Sequence, residues 1–124
     1  MRPKQWLGSA LLIFLLTACA AYQIAGQVQS GRQALLINKP EEALAYFQQA
    51  AQSNPNYIFE SGLYKEGIWT YVGRSQYNLG RLAEARQSLE KALSIYPDDY
   101  LAGIYLGLTL LRNRRGFERF ERAG

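Results

Sequence analysis

Few side chains in this 124-residue chain are of the types that catalyse reactions, because it contains no histidine and a single cysteine, Cys19. The lack of histidine excludes most metal sites and every histidine-dependent mechanism. The acidic pairs Glu41-Glu42 and Asp98-Asp99 are expected at a helix start and in a turn, not in a closed pocket. No glycine-rich phosphate loop or nucleophile motif is present. The sequence therefore predicts a protein that is not an enzyme and needs neither a cofactor nor a metal.

Cys19 follows a segment with the charge pattern of a targeting signal. Arg2 and Lys4 precede the uncharged stretch Trp6–Leu16. A basic start followed by an apolar stretch of this length is typical of a signal peptide. The last residues, Leu16-Thr17-Ala18-Cys19, resemble a bacterial lipobox.

That resemblance implies a lipoprotein signal peptide over residues 1–18, lipid such as palmitate on Cys19, and a short tether over residues 19–23. Each buried methylene of an acyl chain contributes about 0.8 kcal/mol to membrane attachment. Ala20 stands where aspartate retains such lipoproteins at the inner membrane, so in a Gram-negative cell we expect an outer-membrane protein that faces the periplasm. The alternative is an uncleaved anchor helix that runs on to Ile24.

The net charge of +4 is concentrated at the two ends of the chain. Residues 1–18 carry +2 and residues 112–124 carry +3, whereas residues 19–111, with seven basic and eight acidic side chains, carry −1. A nucleic-acid binder needs a basic face on its folded body. The near-neutral body therefore predicts no nucleic-acid partner.

Beyond Ile24 the chain contains two segments that align without gaps, residues 24–57 and residues 66–99. Each is 34 residues long, and self-similarity at this period predicts helical repeats. The aligned pairs place small or apolar residues at helical spacing: Gly31 and Gly73, Ala43 and Ala85, Phe47 and Leu89, Ala50 and Ala92, Pro55 and Pro97.

These residues resemble the signature of the tetratricopeptide repeat, most fully in the second segment, which also has Trp69 at the tryptophan place. The resemblance implies an all-α fold, a short array of antiparallel helical hairpins over residues 24–124 after a cleaved signal segment. Asn38 and Gly80 are predicted to end the first helix of each pair in a left-handed conformation. Pro40 is predicted to begin the next helix.

The period is interrupted by residues 58–65, which either lengthen the following helix or form a loop. The four-residue spacing of Phe59 and Leu63 favours the helix. A third copy begins at Tyr100, and its register fails after Leu111, so residues 100–124 are predicted to be an incomplete repeat. Its apolar helix then needs cover from Phe117 and Phe120, from a protein partner, or from a second copy; otherwise the chain is a truncated product.

In this family the first helices of the repeats line a groove that binds peptides. Carried over by position, the candidate groove residues are Arg32, Leu35, Thr70, Arg74, Tyr77, Ile104 and Leu108. Arg32 and Arg74 occupy the same place in their repeats, which suits a peptide with an acidic group. The alternative is that both arginines are solvated or paired with a nearby acid such as Glu66.

The sequence thus predicts a lipid-anchored adaptor or scaffold that binds protein or peptide partners in cell-envelope assembly. Self-association through the incomplete third repeat is a further expectation. Two alternatives are a purely structural or truncated repeat protein and a non-catalytic docking subunit for a cell-wall enzyme.

Overall fold

The computed structural model describes residues 3–124 as a row of helices interrupted by one β-hairpin. In chain order the elements are α1 Pro3–Leu36, α2 Pro40–Ser53, β1 Ile58–Ser61, β2 Tyr64–Gly67, α3 Ile68–Asn78, α4 Leu82–Ile95 and α5 Tyr100–Ala123. Helices α1 and α2 form one helical hairpin, α3 and α4 form the next, and α5 packs on both helices of the second. The predicted all-α array of helical hairpins is confirmed.

The two helical hairpins turn at the residues that the sequence predicts. Asn38 and Gly80 have φ angles of 58° and 76°, so both adopt the left-handed conformation. The next amide in each case bonds back across the helix end, from Lys39 N to Ala34 O at 2.8 Å and from Arg81 N to Gln76 O at 2.9 Å. These bonds satisfy carbonyl groups that the end of a helix leaves without partners.

Each helical hairpin is closed by a glycine of its first helix against a large side chain of its second. A Cβ atom added at Gly31 would lie 2.5 Å from the ring of Phe47, and one added at Gly73 would lie 2.6 Å from Leu89. Phe47 and Leu89 are fully buried. Only glycine therefore allows the two helices of each pair to approach this closely.

Replacing Gly31 with alanine is expected to lower the free energy of unfolding by about 1–2 kcal/mol, because the overlap with Phe47 outweighs the higher helix propensity of alanine. The matched control is Gly116→Ala, where nothing lies within 4 Å of the new Cβ. That change should stabilise the protein by up to about 1 kcal/mol. Urea denaturation followed by Trp69 fluorescence in a Trp6→Phe background measures both changes in the free energy of unfolding. If both variants were stabilised, or both destabilised, the close crossing at Gly31 would be contradicted.

Residues 58–65 form neither a helical extension nor a loop, and the prediction of a helix there is wrong. They belong to an antiparallel β-hairpin whose partners run from Ile58 with Gly67 to Ser61 with Tyr64. The two-residue turn begins at Gly62, whose φ of 62° suits a tight hairpin turn. Pairing sets Phe59 beside Glu66 on one face, and Phe59 packs on the core of the first repeat.

The third repeat contains no second helix in the described residues, since α5 runs without a break from Tyr100 to Ala123. The repeat is therefore incomplete, and the turn that separates the two helices of the other repeats has no counterpart in α5. Phe117 and Phe120 are 61% and 77% exposed, so they do not cover the apolar first half of α5.

Helix α1 joins the predicted signal segment to the first repeat without a break. From Lys4 it is long and apolar enough to cross a membrane, a property that an N-terminal signal sequence shares. The large apolar side chains from Trp6 to Leu16 are all more than half exposed, and packing against the body begins near Ile24.

Candidate peptide-binding groove

The structure brings Arg32, Leu35 and Arg74 together on the side of the array that the first helices line. They form a cleft of about 210 Å³ between α1, the β-hairpin and α3, which we call the arginine cleft. Its walls are Arg32, Leu35, Leu36, Tyr64, Tyr71 and Arg74. Arg32 and Arg74, which hold the same place in their repeats, thus line one cleft, and the β-hairpin forms an additional wall.

Arg74 is held by a buried carboxylate beside this cleft. Its Nη1 lies 2.6 Å from Oε1 of Glu66, whose side chain is fully buried. The hydroxyl of Tyr64 donates a second hydrogen bond to Glu66. The guanidinium also lies over the rings of Tyr71 and Tyr105, 5.6 Å and 5.2 Å from their centroids. The alternative reading of Arg74, an ion pair with Glu66, is thus the arrangement that the structure shows.

Burial raises the pKa of the Glu66 carboxyl above its ordinary value, and the positive charge of Arg74 offsets only part of this rise. Burial and the neighbouring carboxylate raise the pKa of Tyr64 to about 12, so its hydroxyl stays protonated and remains a donor to Glu66. The negative charge of Glu66 in turn holds the pKa of Arg74 above its usual range, although burial acts in the opposite direction. The β-hairpin is thereby linked to α3 through a buried ion pair.

The raised pKa of Glu66 predicts a definite dependence of stability on pH. Between its ordinary value of 4.5 and its higher folded value, the folded state keeps a proton that the unfolded state has lost. Raising the pH through this window therefore favours unfolding through Glu66. Glu66→Gln removes the titration, so the wild type should lose stability relative to this variant from acid to neutral pH. Urea denaturation of both proteins across this pH range tests this, and a wild-type stability that stays constant or rises relative to that of the variant would contradict it.

Arg32 is engaged differently from Arg74. Its guanidinium lies 4.0 Å from the centroid of the Phe59 ring and donates a 3.1 Å hydrogen bond to Oε1 of Gln29. Among the described residues no carboxylate lies within ion-pair distance of Arg32. Arg32 therefore supplies the uncompensated positive charge of the arginine cleft.

Thr70 does not line the groove, in contrast to the prediction from repeat position. It is fully buried, and its hydroxyl donates a 2.5 Å hydrogen bond to Oδ2 of Asp99. The same oxygen accepts the amide of Gly67 at 2.9 Å, while Oδ1 accepts the amide of Ala102 at 3.1 Å and caps α5. Asp99, predicted as a turn residue, is thus a buried junction between the second repeat and α5.

Tyr77 and Leu108 lie in a second cleft of about 520 Å³ between α3, α4 and α5, which we call the basic cleft. Three arginines spaced along α5 line it together with leucine side chains, so it combines apolar surface with positive charge. The full lining is Tyr77, Leu82, Leu108, Leu111, Arg112, Arg115, Gly116 and Arg119. Ile104, the remaining predicted groove residue, is 56% exposed and lines neither cleft.

Arg112 has a structural contact within the basic cleft, whereas Arg115 and Arg119 are free to meet a ligand. Nη1 of Arg112 donates a 2.9 Å hydrogen bond to the carbonyl of Tyr77 at the end of α3, and its guanidinium lies over that ring. Arg115 and Arg119 are exposed and have no carboxylate within ion-pair distance in residues 3–124. The basic cleft therefore has no acidic lining residue to neutralise it.

Arg112, Arg115 and Arg119 are not among the groove residues predicted from the sequence, because the repeat register could be followed only to Leu111. A usable signal was present, since Leu108, Leu111, Arg112, Arg115 and Arg119 recur at spacings of three and four residues. A helix that continued past Leu111 would have placed them on one face. The ion pair of Glu66 with Arg74 was predicted only as an alternative. The hydrogen bond from Tyr64 to Glu66 was not predicted, because it depends on the β-hairpin.

Residues 67–99 match the family model for the tetratricopeptide repeat. No curated protein matches the chain. The matched stretch is the second helical hairpin, with its crossing at Gly73 and its turn at Gly80, and the match confirms the resemblance predicted for this repeat. The fold and this match define a short helical-repeat protein. A repeat of this kind indicates a role in protein–protein interaction and is typical of proteins without catalytic activity.

Proposed function

We propose that this protein is a non-catalytic adaptor that binds an acidic segment of a protein partner in the groove along α1, α3 and α5, and that lipid on Cys19 tethers it to a membrane of the cell envelope. The observation that supports the first part is the basic cleft, where leucine side chains lie beside Arg115 and Arg119 without an acidic lining residue. Guanidinium groups form strong, directional bonds to carboxylates.

The arginine cleft supports the same class of partner. Arg32 provides positive charge there, and Leu35 and Leu36 provide apolar surface at its edge. An amphipathic segment with acidic residues on one side and apolar residues on the other matches both clefts. Because charged contacts at the edge of an interface mainly govern the association rate, binding should weaken as salt is added.

The test uses two labelled synthetic peptides with identical leucine positions, one with glutamate and one with lysine between the leucines. Fluorescence anisotropy should show binding of the glutamate peptide and little binding of the lysine peptide. The double variant Arg115→Glu with Arg119→Glu should weaken glutamate-peptide binding at least about tenfold, since like charges then face each other.

Arg122→Glu is the matched control, because Arg122 lies on the same helix but does not line the basic cleft. It should change the affinity by less than about threefold. Equal binding of both peptides, or equal loss in both variants, would contradict a specific acidic partner and would leave the structural alternative as the better account.

The tether is supported by the lipobox resemblance at Cys19 and by the exposed apolar side chains that precede it. An apolar segment of this size is unfavourable in water, so we expect it to be either cleaved off or inserted into a membrane. Intact mass of the membrane-extracted protein should show the loss of residues 1–18 and the gain of acyl chains. A Cys19→Ala variant should show neither.

An intact and unacylated N-terminus would instead favour the anchor-helix alternative, with α1 crossing the membrane. Placement in the outer membrane, inferred from Ala20, belongs to the same proposal. Membrane fractionation of the acylated protein tests it, and recovery with the inner membrane would contradict it. A role in envelope assembly would require this location and, in addition, the capture of a partner protein from the cell envelope.

A further inference from the structure

The third repeat has a glycine at the crossing place of the first two, but no helix lies over it. Gly107 corresponds to Gly31 and Gly73, which pack against Phe47 and Leu89. A Cβ added at Gly107 has no neighbouring heavy atom within 4 Å among the described residues, and the same holds one turn earlier at Gly103. A surface shaped for close helix packing is therefore open at this position.

The residues that follow do not fold back over this surface. In the first two repeats the chain turns at Asn38 and Gly80, whereas at the equivalent residue, Arg114, α5 remains helical. The open surface also carries large apolar side chains, since Tyr100, Ile104 and Leu110 are 84%, 56% and 43% exposed. We call Tyr100, Gly103, Ile104, Gly107 and Leu110 the glycine face.

We propose that a second copy of this chain covers the glycine face, with α5 packed antiparallel on α5 about Gly107. Two glycines one turn apart let the backbones of two helices approach closely. Antiparallel pairing sets Leu110 of one copy against Ile104 of the other, because each lies three residues from Gly107. Each copy thus supplies both the small residues and the apolar side chains that fill the space beside them.

Charge favours the antiparallel orientation. Asp98 lies nine residues before Gly107 and Arg115 lies eight residues after it, so each Asp98 comes beside the partner's arginine-rich segment. Parallel pairing would instead bring the two arginine-rich segments together, which like-charge repulsion disfavours. The opposite charges at the two ends of this region therefore favour antiparallel over parallel pairing of two copies. This inference does not rest on the lipid tether, and it shares only Arg115 with the basic cleft.

Disulfide trapping in the full chain tests the pairing. In a Cys19→Ala background, Gly107→Cys should form a covalent dimer under mild oxidation, because the two residues meet at the crossing within disulfide range. Gly116→Cys and Gly8→Cys are matched controls, since both positions are exposed helical glycines with open space around them. Both should give much less dimer on non-reducing gels.

A charge exchange supplies the second measurement. Asp98→Arg and Arg115→Asp should each lower the trapped fraction about two- to fivefold, and the double variant should restore it. No trapping at Gly107 would overturn the proposal and would indicate a different cover for the glycine face. Equal or stronger trapping at Gly8 would also overturn it, because association would then run through the apolar N-terminal segment.

Discussion

Replacing Arg74 with alanine is expected to lower the free energy of unfolding by about 3–5 kcal/mol, because it leaves the carboxylate of Glu66 buried without its charged partner. Glu66 is fully buried and lies 2.6 Å from the guanidinium. Urea denaturation followed by Trp69 fluorescence, in a Trp6→Phe background, measures the loss. The loss should be smaller at acid pH, where protonation of Glu66 removes the buried charge.

Arg32→Ala is the matched control, since Arg32 occupies the same repeat position and meets a ring and an amide. Its effect on stability should be below about 1 kcal/mol. Combining Arg74→Ala with Glu66→Gln should recover part of the loss, because the carboxylate is then absent. Equal effects of Arg32→Ala and Arg74→Ala would show that the buried ion pair does not stabilise the second repeat.

Asp99→Ala is the second change with a large expected effect, a loss of at least about 3 kcal/mol in the free energy of unfolding. One carboxylate caps α5 through Ala102 and also accepts hydrogen bonds from Gly67 and Thr70. Loss of a helix N-cap costs about 1 kcal/mol, and each buried donor left without a partner adds a further cost of about 1–3 kcal/mol. The same fluorescence-detected denaturation measures this loss.

Asp98→Ala separates this effect from that of removing an acid in general. Asp98 is the exposed neighbour of Asp99, so its replacement should change stability by less than about 0.5 kcal/mol. Asp99→Asn should fall between the two, because asparagine still caps a helix but provides one acceptor oxygen fewer. If both alanine variants had the same stability, the buried junction would not hold α5 on the second repeat.

The β-hairpin shows where reasoning from local spacing reaches its limit. Phe59 and Leu63 are four residues apart, which favoured a helix, yet Phe59 packs on the core and Leu63 is fully exposed at the turn. Gly62 beside β-branched and aromatic residues was a signal for the hairpin. Phe59 and Glu66 lie on the face of the β-hairpin that packs against the body, and this packing favours the hairpin over a helix. It is a tertiary contact, so the spacing of neighbouring residues cannot reveal it.

Helix α5 continues past the place where the first two repeats turn. The equivalent residue is Arg114, whereas the other repeats have Asn38 and Gly80 with positive φ angles there. Arg114 instead pairs with Glu118 one turn later at 3.1 Å, which supports a continuous helix. That continuity creates the basic cleft and leaves the glycine face open.

The sequence by itself determined the repeat pattern, its turns and its glycine crossings, because each depends on a residue type at a fixed local position. Asn38, Gly80 and Pro40 act through backbone conformation, and Gly31 and Gly73 act through the absence of a side chain. The tertiary structure alone decided that Thr70 lies inside, that Glu66 neutralises Arg74, and that Arg115 and Arg119 face a cleft. Those outcomes depend on which distant side chains share a buried volume, since burial sets the cost of every unpaired polar group.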